Sequence, residues 1–161
     1  MKLVKLTNRL KAIADLIGCG ISVADIGTDH GYLPVYLAQR NSMQRIYASD
    51  KSDGSLNAAK RTADEYDVTD KIIFTVSRGL DSISPADVDV IVIAGMGGET
   101  IVDILRNTPW IRSYKKVLIL QPQSKIDILF RFLYDNEYEI NKIKYITDRK
   151  KHYTILQARS G

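Results

Sequence analysis

The chain has 161 residues, 45% hydrophobic and 26% charged, with 10 Gly and 4 Pro; this is the composition of one soluble domain with one core, and it excludes a collagen-like or low-complexity chain and argues against two domains. One cysteine, Cys19, excludes a disulfide framework, and with His30 and His152 the only histidines no Cys/His structural zinc site can be assembled. The net charge of +4 is uneven: residues 1–103 hold 11 Lys/Arg against 14 Asp/Glu, and residues 104–161 hold 12 against 5, a net of +7 that suits a polyanion such as nucleic acid unless it is simply a solvated surface.

The N-terminal stretch carries Lys2, Lys5, Arg9, Lys11 and Asp15 and so has no signal-peptide core. No apolar run approaches the roughly 18 residues of a membrane span, and the expected location is the cytoplasm. Residues 7–17 show Leu10, Ile13, Ala14 and Ile17 at helical spacing behind Thr7, a suitable N-cap. Residues 22–26 read as a strand, 32–40 as a helix with Pro34 in its first turn, 45–50 as a strand and 53–66 as a helix. Strands are expected at 72–76 and 88–94, the second almost wholly apolar as a central parallel strand should be. A helix over 99–107, a strand over 116–121 and a helix over 125–136 follow. The alternation then stops, with two consecutive strands, 139–147 and 152–158, joined by a polar turn. Strand–helix alternation implies a parallel sheet covered on both faces, and a closing strand pair implies that the last strand inserts antiparallel. The fold expected is α/β: a doubly wound, Rossmann-like sheet of seven strands in a single domain, 1–161. Ligands in such sheets bind beyond the carboxyl ends of the strands.

Four of those ends carry distinctive residues. The first strand runs into Asp25-Ile26-Gly27-Thr28-Asp29-His30-Gly31-Tyr32. A dinucleotide G-x-G-x-x-G fingerprint fails here because Asp29 and Tyr32 stand where glycines are needed. The run fits instead the D-x-G-x-G-x-G first motif of methyltransferases, with Asp29 in place of the middle glycine. Asp29 would repel a pyrophosphate but attract the sulfonium and ammonium of S-adenosylmethionine; the plainer alternative is a tight turn with Asp29 as helix cap. Asp50 ends the second strand 19 residues after Gly31, where an acid can accept hydrogen bonds from ribose hydroxyls or cap the next helix. The fourth strand enters Ala94-Gly95-Met96-Gly97-Gly98. Three glycines in four residues let backbone approach a ligand closely, Met96 suits a flat ring, and the following helix N-terminus favours a phosphate. Asp89, at the start of that strand, is read as structural. The fifth strand ends in Gln121-Pro122-Gln123, whose amides suit an adenine edge in outline, though such a run is also an ordinary turn.

The stretches Leu6-Thr7-Asn8-Arg9-Leu10, Ala24 through Pro34, Ile93-Ala94-Gly95-Met96-Gly97-Gly98 and Leu118-Ile119-Leu120-Gln121-Pro122 closely resemble the bacterial tRNA (adenine-22-N1)-methyltransferase family along essentially the whole chain. The resemblance implies a class I methyltransferase fold, S-adenosylmethionine as donor, and N1 of an adenine in the tRNA D-arm as acceptor. It implies Arg9, Asp25, Gly27, Thr28, His30, Gly31, Asp50, Lys51, Arg78, Gly79, Ala94, Gly95 and Met96 as cofactor-binding residues. Asp29 is the expected stabiliser of the cationic product, Tyr32 the stacking or orienting residue, and Gln121 or Gln123 the grip on the base. No metal and no membrane partner are expected, and the chain is taken as a monomer. Departures are Arg78 where the family usually has Asp or Asn, Gln123 where it has Asn, and Thr154 after Tyr153 where it often has Glu. The family's helical C-terminal domain is expected to be absent, since the chain stops at Gly161. Two other readings stand beside this one: a small-molecule methyltransferase, which would not need the +7 half, and an inactive methyltransferase-like RNA-binding module.

Overall fold

Thr7 opens the first helix as its position predicts: its hydroxyl accepts the Leu10 N–H at 3.3 Å and caps α1 (Asn8–Leu16). The computed structural model describes residues 2–161. The remaining elements are β1 (Ser22–Ile26), α2 (Tyr32–Arg40), β2 (Arg45–Asp50), α3 (Asp53–Glu65), β3 (Ile73–Val76), β4 (Val90–Gly97), α4 (Gly98–Arg106), α5 (Trp110–Ser113), β5 (Val117–Ser124), α6 (Ile126–Asp135), β6 (Tyr138–Asp148) and β7 (Lys151–Ser160).

The seven strands form one sheet in the order β3-β2-β1-β4-β5-β7-β6, and β7 runs antiparallel to both of its neighbours. The parallel strands are apolar on both faces, as burial on two sides requires: Val90, Ile91, Val92 and Ile93 are all buried. Side chains alternate between two cores. Val92 and Ile119 pack toward α1, α2 and α3, with Ile13, Val35 and Ala63. Ile91, Ile93, Leu118 and Leu120 pack toward α4 and α6, with Ile101, Leu129 and Leu133. Asp89, just ahead of β4, accepts the Ser22 N–H at 2.9 Å and ties the amino ends of β1 and β4 together, the structural role expected of it.

The structure extends β4, β5 and the β6–β7 hairpin beyond the expected bounds, and adds α5 and two single-turn 3₁₀ helices, Thr69–Lys71 and Pro85–Asp87. Strand β4 continues through Gly97 because bulges at Ala94, Met96 and Gly97 keep it paired with β5 past the parallel ladder. Strands β6 and β7 are longer than read, pairing from Tyr138 opposite Ser160 to Asp148 opposite Lys151, with Arg149 and Lys150 as the two turn residues. Helix α5 has only four residues, too few to leave a periodic signature. Strand β5 pairs with β7 only where Leu118–Leu120 face Leu156–Ala158, so the β6–β7 hairpin continues beyond the last of these pairs, toward the carboxyl ends of the parallel strands.

Candidate active site

A cavity of about 1120 Å³ opens where β1, β2 and β4 end, walled by the loop over residues 77–81, by α4 and by the start of α1. The β1–α2 loop forms its floor. The N–H groups of Gly27 and Thr28 both donate to the Ser49 carbonyl at 2.9 Å, folding the loop onto β2. Gly27 needs its left-handed φ of 73° for this, and a Cβ there would overlap Met96 Cε. The Thr28 hydroxyl donates to Asp25 Oδ2 at 2.9 Å. Burial pushes the Asp25 carboxyl up to about 6, against the Thr28 hydrogen bond and the Arg9 charge that lower it, while Asp50 and Asp29 raise it further.

Asp29 does not cap α2; Gly31 holds the cap position. Asp29 lies in the left-handed region (φ 57°), donates its N–H to Asp50 Oδ2 at 3.1 Å, and leaves its carboxylate 82% exposed at the cavity mouth. The other Asp50 oxygen accepts the Lys51 N–H at 2.9 Å, and Ser52 rather than Asp50 caps α3. His30 Nε2 lies 3.9 Å from Asp29, and the His30 and Tyr32 rings are 5.8 Å apart. Thus one carboxylate is buried, one is fixed at the end of β2, and one is free at the mouth.

The cavity brings together Arg9, Asp25, Gly27, Thr28, His30, Asp50, Lys51, Arg78, Gly79, Ala94, Gly95 and Met96, and also Asp29, Tyr32 and Gln123. Two expected residues are not in its wall. Gln121 is fully buried, and its amide is engaged inside the protein. Its Oε1 accepts from an Arg9 guanidinium nitrogen at 2.8 Å and from the Gly95 N–H at 3.1 Å, and its Nε2 donates to the Pro122 carbonyl at 3.0 Å. The base grip read for Gln121 is therefore corrected: every group that would hold a base already holds the site's own frame. Gly31 lies outside the wall: a Cβ there would stand 2.8 Å from the Ala59 Cβ, so its smallness serves the α2–α3 contact. Gly97 and Gly98 answer to protein as well. A Cβ on Gly98 would run into the Lys125 carbonyl, and one on Gly97 would meet Ser124 Oγ at 3.0 Å, so their smallness lets the β5–α6 loop pack against the start of α4.

Arg9 links the cavity to the last hairpin. Its N–H donates to Asp148 Oδ2 at 3.2 Å, and its guanidinium lies 5.7 Å from the Tyr153 ring centre. Wall residues that the sequence reading missed include Thr100, Asp103, Ile104, Asn107 and Thr108 on and after α4. Their i, i+3, i+4, i+7 spacing marks one helix face and was the signal available. The basic half is divided between two ends. Arg112, Lys115 and Lys116 precede β5, at the amino end beside Asp89, whereas Lys125 and Arg149–Lys151 lie at the cavity end. Among the described residues no group of three His, Cys, Asp or Glu side chains is arranged to hold a metal, and no helix is long and apolar enough to cross a membrane. Chemically, the cavity fits a ligand with hydroxyls for Asp50, a cationic part for Asp25 or Asp29, and a flat ring beside Met96.

Residues 6–156 match the methyltransferase-domain family. The chain is 33% identical over 161 residues to the tRNA (adenine(22)-N(1))-methyltransferase of Bacillus subtilis, covering all of this chain and 68% of that protein. The crystal structure of the B. subtilis M1A22 tRNA methyltransferase TrmK superposes with a TM-score of 0.91 at 33% identity, covering 98% of this chain and 68% of that one. A Streptococcus pneumoniae protein, Sp1610, solved in complex with S-adenosyl-L-methionine, gives a TM-score of 0.91 at 30% identity over 98% of this chain and 74% of that one.

Proposed function

Because the chain belongs to the tRNA (adenine(22)-N(1))-methyltransferase family, we propose that it transfers a methyl group from S-adenosylmethionine to N1 of adenine 22, in the D-arm of a tRNA, in the cytoplasm. The observation that carries the reading is the division of labour among three carboxylates: Asp25 buried, Asp50 pinned by two backbone N–H groups, and Asp29 exposed at the mouth. Bound S-adenosylmethionine supplies an electrophilic methyl group on a sulfonium. Each Asp50 oxygen retains a lone pair beyond its backbone N–H and would accept a hydrogen bond from a ribose hydroxyl. Arg9, steadied by Gln121, has N–H groups left for a carboxylate tail. Met96, in the cavity wall, would pack against the flat adenine ring.

Adenine N1 carries no proton at neutral pH, so this chain needs no general base; its residues orient the acceptor and answer the positive charge that develops on it. Asp29 supplies the negative field at that point. Tyr32, 43% exposed beside His30, stacks or orients the base, and Gln123, in the cavity wall, meets its hydrogen-bonding edge. Lys51 and Arg78 stand as cations at the rim. A base inside folded tRNA must leave its stack to reach this cavity, at a cost of a few kcal/mol. The test is nucleoside mass spectrometry of tRNA incubated with the protein and methyl-labelled donor. Label in 1-methyladenosine mapped to position 22 is the expected result; no label, or label on another base, would overturn the reading.

A further inference from the structure

The last hairpin leaves the sheet on the cavity side. Leu120 opposite Leu156 is the final β5–β7 pair, yet β6 and β7 stay paired from Lys144 opposite Ile155 to Asp148 opposite Lys151. The five steps from Leu156 back to Lys151 span roughly 17 Å at strand rise. The arm is not loose. Asp148 accepts the Arg9 N–H, Tyr153 lies under the Arg9 guanidinium, and Ile146 packs against the core around α1.

Its charge is one-signed. Residues 141–157 contain Lys142, Lys144, Arg149, Lys150 and Lys151 against one acid, Asp148, which is already held by Arg9. Among the described residues none of these five cations makes an ion pair, whereas Arg112 is paired with Glu137 and Arg45 with Asp87. The two turn residues, Arg149 and Lys150, sit at φ 51° and 66°, positions for which Asn-Gly is the least strained pair. Tyr145, four residues before Arg149, stands 77% exposed on the face of the hairpin opposite Lys144 and Ile146, paired across the hairpin with Thr154.

We propose that this hairpin is an RNA-gripping arm: Arg149, Lys150 and Lys151 take phosphates beside the base held in the cavity, and Tyr145 offers a stacking platform to an unpaired neighbour. The inference rests on the function proposed above and deepens it by naming the surface. A polyanion threaded past an aromatic platform is single-stranded or loop RNA; a lipid surface has no base to stack. The cations that precede β5, Lys115 and Lys116, lie at the opposite end of the sheet and serve as the control.

The experiment measures unmodified tRNA binding to the full chain across a salt series. In Arg149→Asn/Lys150→Gly/Lys151→Gln the turn keeps or improves its backbone fit. Its tRNA affinity is expected to fall tenfold or more at low salt, with the log–log salt slope reduced by about two as phosphate contacts are lost. Adenosylmethionine affinity, measured by calorimetry, stays at the wild-type value and verifies the fold. Lys142→Gln/Lys144→Gln, which leaves the turn untouched, is expected to move in the same direction. Tyr145→Ala is expected to lower affinity about fivefold or more without changing the salt slope. Lys115→Asn/Lys116→Gln is expected to bind as wild type. Unchanged affinity and slope in the turn variant, in a protein whose parent binds and methylates tRNA, would overturn the arm and leave the activity standing. Equal losses in the arm and control variants would overturn it as well. A parent that binds adenosylmethionine but neither binds nor methylates tRNA, or that binds only anionic lipid vesicles, would overturn the activity and the arm together.

Discussion

Asp25 carries a proton-linked consequence of its burial. With its carboxyl raised from 3.8 to about 6, the neutral form is the one the fold favours. Below pH 4 the group is protonated in both folded and unfolded chains and contributes nothing. Between pH 4 and 6 the unfolded chain ionises first, so stability falls with rising pH, and above pH 6 the penalty is constant at about 3 kcal/mol. Asp25→Asn should therefore melt at the wild-type temperature near pH 4 and increasingly above it up to pH 6; a constant difference across that range would contradict the assignment. A bound sulfonium or ammonium favours the ionised carboxylate, so wild-type adenosylmethionine affinity should rise through the same window. Gln121→Leu leaves the Arg9 guanidinium and the Gly95 N–H without their shared acceptor. A loss of about 1–3 kcal/mol in stability, with weaker cofactor binding by calorimetry, is expected. Asp29→Asn keeps shape and removes charge. Single-turnover methyl transfer should slow by about tenfold, or about 1.4 kcal/mol, with cofactor affinity changing less, because the acceptor's charge appears only during transfer. Normal transfer with poor cofactor binding would reassign Asp29 to the cofactor.

At the scale of elements, the glycines of the β1–α2 and β4–α4 loops divide by what they touch. Gly98→Ala forces a Cβ into the Lys125 carbonyl, backbone that cannot swing aside, and should cost about 2 kcal/mol or more by thermal melt. Gly27→Ala meets only the mobile end of Met96, so its cost should come mainly from the positive φ. The strand–helix alternation was legible because period and length agree in β1 through α4, and the cavity was legible because the fold class dictates which strand ends face it. Gly95 lines the cavity as expected, whereas Gly97 and Gly98 sit against protein, because a sequence shows that space is needed but not for whom. Gln121 was misread for a related reason. It shares the face of Ile119, two residues earlier, and so turns toward α1 and Arg9, a direction that depends on a helix more than a hundred residues away. Helix α5 and the exact reach of β6 and β7 left no local signal, since four residues make no period and edge pairing is set by the partner strand.

Across the whole molecule, the first helix and the last hairpin meet at one residue. Arg9 touches Gln121, Asp148 and Tyr153, all from the final third of the chain. Every acid in the cavity wall is in place by Asp103, yet Arg9 opposite them gains its Asp148 and Tyr153 contacts only when residues beyond 147 have joined the sheet. A ribosome making this chain from its amino end therefore releases a nearly complete parallel sheet whose ligand cavity still lacks its clasp. Closing it means bringing together partners separated by 139 positions, the kind of contact that forms late because long loops must first be ordered. Ligand competence thus waits until the hairpin has been made, and a nascent chain stalled before it would fold much of its core while holding the methyl donor poorly.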